Sequence, residues 1–188
     1  MQHNHIMVDI ETLGNQPGSL ILSIAAMEFS FDPQKKGDSF YVKIDVEDAQ
    51  RHGLKINADT VLWWMKQSEE ARQEVINQSN AVPLVDALAR FESFANRGRT
   101  TNPYLWAKSP RFDLGILGDA YRKIGRIIPW SFRNERDVRT LLHLEPGVKG
   151  MGKRSDHIAH HALDDCDVQI NELWMVQDSV NASIWEVD

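Results

Sequence analysis

The spacing of apolar residues along the chain predicts a run of strands first and then an alternation of helices and strands. Three early segments are apolar or alternate with a period of two, as strands do; they are residues 6–10, 20–29 and 40–44. Apolar residues at helical spacing follow; these segments are 59–77 (as one helix or two), 83–95, 113–124, 138–144 and 162–180. A short strand, Tyr104–Ala107, is predicted between the second and third of these helical segments.

Glycine and proline mark the boundaries between the predicted elements. Turn signals lie at residues 14–18, at Asp32-Pro33 and at Lys36-Gly37, and a flexible basic loop is predicted at 145–155. Consecutive strands followed by alternating helices and strands predict an α/β fold, a mixed sheet covered by helices. A chain of 188 residues, 42% of them hydrophobic, is long enough for one core and short for two. We therefore expect a single domain over residues 1–188.

Composition indicates the cellular compartment in which the protein is expected to work. Cys166 is the only cysteine, which excludes an intrachain disulfide and favours a reducing, cytosolic environment. The N-terminal residues do not have the composition of an export signal. No apolar stretch approaches the roughly 20 residues that span a bilayer. The sequence therefore predicts a soluble, cytoplasmic protein without membrane contact.

Two carboxylates lie at the end of the first predicted strand. Asp9 and Glu11 are two residues apart, so they project from the same face of a strand. Two neighbouring carboxylates are energetically unfavourable without a cation. Ligands also commonly bind at strand ends in α/β sheets. The alternative is that the strand has already ended and both side chains are solvated, and for this motif alone that alternative is favoured.

Further candidate side chains lie at two predicted helix starts. Asp113 follows a strand and a turn, and in isolation it is typical of a helix N-cap. Asp165 projects from the first turns of the helix 162–180, with His160 in the loop before it, so both can converge on one point. In isolation, an aspartate there is explained as favourable charge near a helix N-terminus, and the histidine as solvated.

Taken in order, these motifs resemble the signature of the DEDDh 3'-5' exonuclease superfamily, the DnaQ-like branch of the ribonuclease-H-like fold. That signature is Asp-x-Glu, then Phe-Asp, then His-x4-Asp, and the likeness extends from Asp9 to the final helix. Residues 63–68, 70–72 and 136–140 also resemble segments of the phage and prophage exonucleases and bacterial exoribonucleases. The resemblance implies a ribonuclease-H-like mixed sheet flanked by helices.

The resemblance also implies a divided metal site and a general base. Four carboxylates would hold a pair of divalent cations, Mg²⁺ or Mn²⁺; they are Asp9, Glu11, Asp113 and Asp165. Carboxylate oxygens suit these hard cations, which can stabilise a phosphodiester under attack and lower the pKa of the attacking water. His160 would be the base, since histidine, with an unperturbed pKa of about 6.5, accepts protons near neutral pH.

Two neighbouring residues compete for these roles. His161 lies four residues before Asp165, the spacing at which a sister subclass carries a tyrosine base, whereas His160 lies five before it, as in the histidine subclass. Spacing favours His160. Asp164 could exchange roles with Asp165, but the match of Ala162-Leu163 to the family pattern favours Asp165.

Candidate substrate contacts rest on weaker signals. By resemblance, Thr12 and Leu13 line the pocket for the terminal nucleotide, although a core role for Leu13 fits equally well. Trp63 and Trp64 lie about 100° apart on a helix, so one is expected in the core and the other can stack on a base; Trp64 is our candidate. Arg111 is a candidate phosphate contact, although an ordinary solvated charge explains it too. The same two explanations apply to Lys149, Lys153 and Arg154.

The expected function is a 3'-5' exonuclease that releases nucleoside 5'-monophosphates from the 3' end of single-stranded RNA or DNA. No residue can be matched to the 2'-hydroxyl that distinguishes these sugars. The alternatives are a non-catalytic metal-binding module that binds nucleic acid and a ribonuclease-H-like endonuclease, which the His-x4-Asp motif disfavours. The net charge of -6 argues against a protein that coats nucleic acid non-specifically. Dimers are common among the relatives that the chain resembles, so a homodimer and a monomer are both compatible with the sequence.

Overall fold

A five-stranded mixed sheet forms the centre of the computed structural model, which describes residues 4–97, 103–153 and 159–185. The strands are β1 His5–Thr12, β2 Ile21–Phe31, β3 Gln34–Lys43, β4 Tyr104–Ala107 and β5 Glu135–Asp137. They lie in the order β3-β2-β1-β4-β5. The first three pair antiparallel, while β4 pairs parallel with both β1 and β5. The sheet is therefore mixed, as the sequence predicted.

Seven α-helices are present in the described part of the chain. They are α1 Val46–Arg51, α2 Ala58–Trp64, α3 Glu69–Ile76, α4 Leu84–Asn96, α5 Asp113–Lys123, α6 Val138–Leu144 and α7 Ala162–Trp185. Side-chain caps set several starts, because an N-cap oxygen satisfies a free backbone N–H of the first turn. Asn57 caps α2, Ser68 caps α3 and Asp137 caps α6. Within the described residues, no helix is long and apolar enough to cross a membrane.

Most predicted elements are confirmed, and the errors have identifiable causes. The segment 59–77 forms two helices, because Ser68 begins a new one. β3 begins at Gln34 rather than at residue 40, so the turn predicted at Lys36-Gly37 was wrong. The hairpin instead closes tightly at Asp32-Pro33, where Phe31 already pairs with Gln34. The elements α1 and β5 were not predicted, because six and three residues are too few to show a period.

Each face of the sheet has its own hydrophobic core. The side chains of Ile6, Val8 and Ile10 join the core on the α4 and α5 side. Met7, one residue out of phase, packs in the other core with Cys166 and other side chains of α7. Because strand side chains alternate between faces, Asp9 and Glu11 follow Met7 onto the α7 side. This alternation brings the β1 carboxylates toward the helix that carries Asp165.

Candidate active site

The carboxyl ends of β1 and β4 bring three acidic side chains together. β1 and β4 are parallel neighbours, so the chain leaves both at the same edge of the sheet, where α/β folds commonly bind ligands. Asp9 and Glu11 come from β1, and Asp113 is the first residue of α5, which follows β4. Asp113 does not cap its own helix: its Oδ1 accepts a hydrogen bond from the backbone N–H of Ile10 at 3.3 Å.

The start of α7 supplies the remaining members of the site. Asp165 lies in the first turn, and its N–H donates to the His161 carbonyl at 3.0 Å. His160 has a left-handed backbone with φ 64° just before the helix. One ligand atom each from Glu11, His160 and Asp165 lies within 4.8 Å of the others. Together with Asp9 and Asp113, these three side chains line one cavity of about 1010 Å³.

Burial raises the pKa of two of these carboxyl groups, and for Asp9 the neighbouring carboxylates add to the effect. Burial raises the pKa of Asp9 well above its usual range, and the negative charges of Asp113 and Asp165 raise it further. A hydrogen bond from Gln169 Nε2 to Asp9 Oδ1, at 2.8 Å, acts in the opposite direction. Burial also raises the pKa of Asp113 to about 7. Buried oxygen ligands that resist ionisation without a positive partner are a donor set that fits a hard divalent cation.

The structure separates the two adjacent histidines. His160 lines the cavity, and its ring lies edge-on to Trp63, with 4.8 Å between ring centroids. His161 stacks instead on Tyr41, with ring centroids 5.1 Å apart, and its Nδ1 lies 3.6 Å from Asp164 Oδ1. Neither His161 nor Asp164 is among the residues that line the cavity. The geometry thus agrees with the spacing that favoured His160 and Asp165.

The substrate-contact candidates divide in the same way. Thr12 lines the cavity, whereas Leu13 is 6% exposed in the hydrophobic core. Trp64 was the wrong choice of the two tryptophans: it is 3% exposed, and its Nε1 donates to the Thr12 carbonyl at 2.9 Å. Trp63, one helical step away, is 42% exposed and lines the cavity. Arg111 is exposed and does not line it.

Several cavity residues were missed in the sequence. Gln169 and Glu172 lie four and seven residues after Asp165, so a search for polar residues on one face of the last helix could have found them. Lys108 directly follows β4, and Arg139 lies in the first turn of α6. Neither has a local signal, because only the packed sheet brings these segments to the cavity. Lys149 and Lys153, by contrast, were candidate phosphate contacts in the sequence, and both line the cavity; Arg154, the third basic candidate of that loop, lies outside the described residues.

Solved exonuclease structures share this fold. E. coli Exonuclease I in complex with a dA16 oligonucleotide aligns with a TM-score of 0.68 at 17% identity, over 94% of this chain and 41% of that chain. The nuclease domain of 3'hExo, a DEDDh family member bound to rAMP, aligns with a TM-score of 0.60 at 12% identity, over 93% of this chain and 92% of that domain. The fold is therefore that of the ribonuclease-H-like exonucleases, as predicted.

Sequence comparison assigns the family. The model of the 3'-5' exoribonuclease Rv2179c-like domain matches residues 4–177, and the chain belongs to this family. The exodeoxyribonuclease of Enterobacteria phage T4 is 25% identical over 190 residues, which cover 85% of this chain and 83% of the phage protein. The predicted superfamily, and with it a nuclease of the 3'-5' exonuclease type, is confirmed. The chain spans only 41% of the length of Exonuclease I.

Proposed function

We propose that this exonuclease removes nucleoside 5'-monophosphates one at a time from the 3' end of single-stranded RNA or DNA. The observation that carries the proposal is the convergence of four carboxylates and one histidine in a single cavity at the edge of the sheet. The four carboxylates belong to Asp9, Glu11, Asp113 and Asp165. A base beside a cluster of oxygen ligands is what metal-assisted phosphodiester hydrolysis requires.

The carboxylates would hold two divalent cations, Mg²⁺ or Mn²⁺. When bound, such ions neutralise charge on the phosphate and lower the pKa of the attacking water. The positions of the ligands on three separate elements explain why the site needs the whole fold. β1 supplies Asp9 and Glu11, α5 supplies Asp113 and α7 supplies Asp165. Gln169 orients Asp9 through its 2.8 Å hydrogen bond.

His160 accepts the proton of the attacking water. The water oxygen bonds to phosphorus, the bond from phosphorus to the 3' oxygen of the preceding nucleotide breaks, and that oxygen takes the electron pair and a proton from solvent. The products are a nucleoside 5'-monophosphate and a strand shorter by one nucleotide. The rings of Trp63 and Trp64, whose centroids lie 4.8 and 5.8 Å from that of His160, pack against the imidazole and fix its position.

Trp63 also gives the cavity an aromatic surface for a base. Its exposed indole lines the cavity beside Thr12 and Thr60. Stacking of a base on an aromatic ring contributes about 1 to 3 kcal/mol in proteins that bind single strands. Because every base has a flat face, such a contact accepts any sequence. We therefore propose that Trp63, and not Trp64, stacks on the terminal base.

The names of the relatives indicate different substrates: the family is named as an exoribonuclease domain, and the phage relative is named as an exodeoxyribonuclease. The proposal therefore covers both RNA and DNA. Matched 5'-labelled RNA and DNA 12-mers, each incubated with Mg²⁺ or Mn²⁺, test the proposal, and a single-stranded circle serves as the control. The proposal predicts a ladder that shortens from the 3' end while the circle stays intact. Cleavage of the circle would assign the site to an endonuclease.

A further inference from the structure

Basic side chains lie among the residues that line the cavity. Within the described part of the chain there are four lysines and arginines of this kind, and we refer to them as the basic wall; they are Lys108, Arg139, Lys149 and Lys153. Arg139 and Lys108 are joined, because the Arg139 Nε donates to the Lys108 carbonyl at 3.3 Å. The two other lysines are exposed at the cavity. In a chain of net charge -6, such a concentration of lysine and arginine beside an acidic site is a local exception.

A buried carboxylate holds this wall together. Glu172 on α7 is only 1% exposed, and its Oε2 lies 2.7 Å from Lys108 Nζ. Its Oε1 accepts a hydrogen bond from the Gly150 N–H at 2.6 Å. A buried charge is tolerated when it is paired and hydrogen-bonded, and Glu172 meets both conditions. Glu172 therefore links α7 to the end of β4 and to the segment 149–153.

The segment 149–153 is fixed on α7 by two further contacts. Asn171 Nδ2 donates to the Gly152 carbonyl at 3.1 Å. Gly152 lies so close to α7 that a Cβ atom there would stand 2.5 Å from the Val168 carbonyl oxygen, so no larger residue fits without a shift. The segment is thus held at both of its glycines. Lys149 and Lys153, at its two ends, lie at the cavity as a result.

We infer that the basic wall binds the phosphate groups of the substrate strand on the 5' side of the terminal nucleotide, and that Glu172 is the positioning residue of this wall. The inference rests on the proposed exonuclease function. The acidic side of the cavity, with its cations, would take the phosphate that is cut. The next phosphates have to leave the cavity, and a protein of negative net charge can attract them only through local cations.

Two double variants with the same loss of charge test the wall. Lys149→Ala/Lys153→Ala removes two lysines of the wall, and Lys35→Ala/Lys66→Ala removes two exposed lysines outside the cavity. We measure kcat and KM on a single-stranded 12-mer at increasing NaCl and fixed Mg²⁺. The slope of log(kcat/KM) against log[NaCl] is negative, and each lost phosphate contact should make it less negative by about 0.7, hence by about 1.4 for the pair. The wall variant should show this change, mainly through KM, and the control should not.

A small substrate separates failure of the inference from failure of the function. Thymidine 5'-monophosphate p-nitrophenyl ester carries the bond to be cut but no upstream strand. The inference predicts that the ratio of kcat/KM on the 12-mer to kcat/KM on the ester falls in the wall variant. Equal ratios in the wall variant and its control would overturn the inference while leaving the exonuclease intact. A wild-type protein that hydrolyses neither substrate would overturn the proposed function and the inference with it.

Glu172 is tested by comparing two replacements. Glu172→Gln keeps an oxygen that can accept the Gly150 N–H, whereas Glu172→Ala keeps none. The inference predicts a higher KM on the 12-mer and faster hydrogen exchange at the Gly150 amide in Glu172→Ala, with recovery of both in Glu172→Gln. If the alanine variant fails to fold, the glutamine variant alone decides, since it should keep slow exchange at Gly150. A wild-type KM together with fast exchange at that amide, in either variant, would overturn the positioning role.

Discussion

At the scale of single residues, Gln169 supports the candidate metal ligand Asp9. Gln169 donates to Asp9 Oδ1 at 2.8 Å and thereby restrains a carboxylate that would bind a cation under the proposed function. The Gln169 Oε1 atom is buried without a hydrogen-bond partner among the described residues. A buried polar atom without a partner is costly, and water held by a cation is a donor that would satisfy it. Under the proposed function, Gln169 would thus support metal binding in two ways.

Replacing Gln169 tests this support directly. Gln169→Ala should weaken binding of Mn²⁺ or Mg²⁺ by about 10- to 100-fold, the usual cost of losing a group that orients a metal ligand. Isothermal titration of the metal into the protein measures the affinity without any turnover. Gln50→Ala, an exposed glutamine on α1, is the matched control. Equal affinities in the two variants would show that Asp9 does not depend on Gln169.

The two histidines should differ sharply in their effects. His160→Ala should lower kcat by about 10²- to 10⁴-fold, the range that general bases contribute, with metal affinity largely retained. His161→Ala should have a much smaller effect on kcat, because His161 packs on Tyr41 away from the cavity. Steady-state kinetics on the 12-mer, with metal titration of each variant, gives both quantities. A larger loss of kcat in His161→Ala would transfer the base to that residue.

At the scale of elements, the length of each segment decided what the sequence could predict. β1 and β2 are long and apolar, and the start of α7 at Ala162 was found because apolar residues recur along it. α1 has six residues and β5 has three, too few for a period, and β5 is a strand only because β4 lies beside it. The order of motifs was sufficient to predict the acidic cluster.

Contacts between distant segments could not be predicted in this way. Lys108 and Glu172 are 64 residues apart and meet only in the folded protein. Similarly, a helical wheel places Trp63 and Trp64 on different faces, but only the packing of α2 shows which of them faces the core. In isolation, the sequence around Asp113 was typical of a helix N-cap, whereas in the folded protein Asp113 accepts a hydrogen bond from the backbone N–H of Ile10. The sequence therefore predicted which acidic side chains and which histidine lie together better than it predicted the side chains that surround them.

The junction of β1, α5 and α7 should make stability depend on pH when metal is absent. Burial raises the pKa of Asp113 to about 7, above the value of about 3.9 for an unperturbed aspartate. Folding thus favours the protonated form, so this contribution to stability is complete below pH 4 and is lost as the pH rises through 7. With a chelator, the fall in unfolding temperature from pH 5 to pH 8 should be smaller in Asp113→Asn than in the wild type.

Metal should reverse this trend, since cations bind the ionised carboxylates and release their protons. Mg²⁺ should therefore raise the unfolding temperature of the wild type more at pH 8 than at pH 5. Differential scanning fluorimetry at both pH values, with and without Mg²⁺, measures this difference. An equal shift at the two pH values, or none at either, would contradict the assignment of these carboxylates to a metal site.

At the scale of the whole molecule, the hydrophobic cores and the candidate active site occupy different parts of the fold. Both faces of the sheet are covered by hydrophobic cores, so the acidic side chains and His160 collect at one edge, where strand ends and helix starts meet. The net charge of -6 then leaves recognition of a nucleic acid to that edge. The cavity contains both an acidic cluster and the basic wall. This combination suits a nucleic-acid strand whose 3' terminal nucleotide is removed at the acidic cluster while the basic wall binds the phosphates that precede it.

Under the proposed function, single nucleotides are released from a 3' end at this cavity. Chromatography and mass spectrometry at early times identify the products that the wild type and Asp113→Asn release from a single-stranded 12-mer with Mg²⁺. We predict nucleoside 5'-monophosphates from the wild type and at least a 100-fold lower rate from Asp113→Asn, a larger loss than a merely supporting group causes. Nucleoside 3'-monophosphates, internal fragments, or full activity of Asp113→Asn would contradict the proposed function.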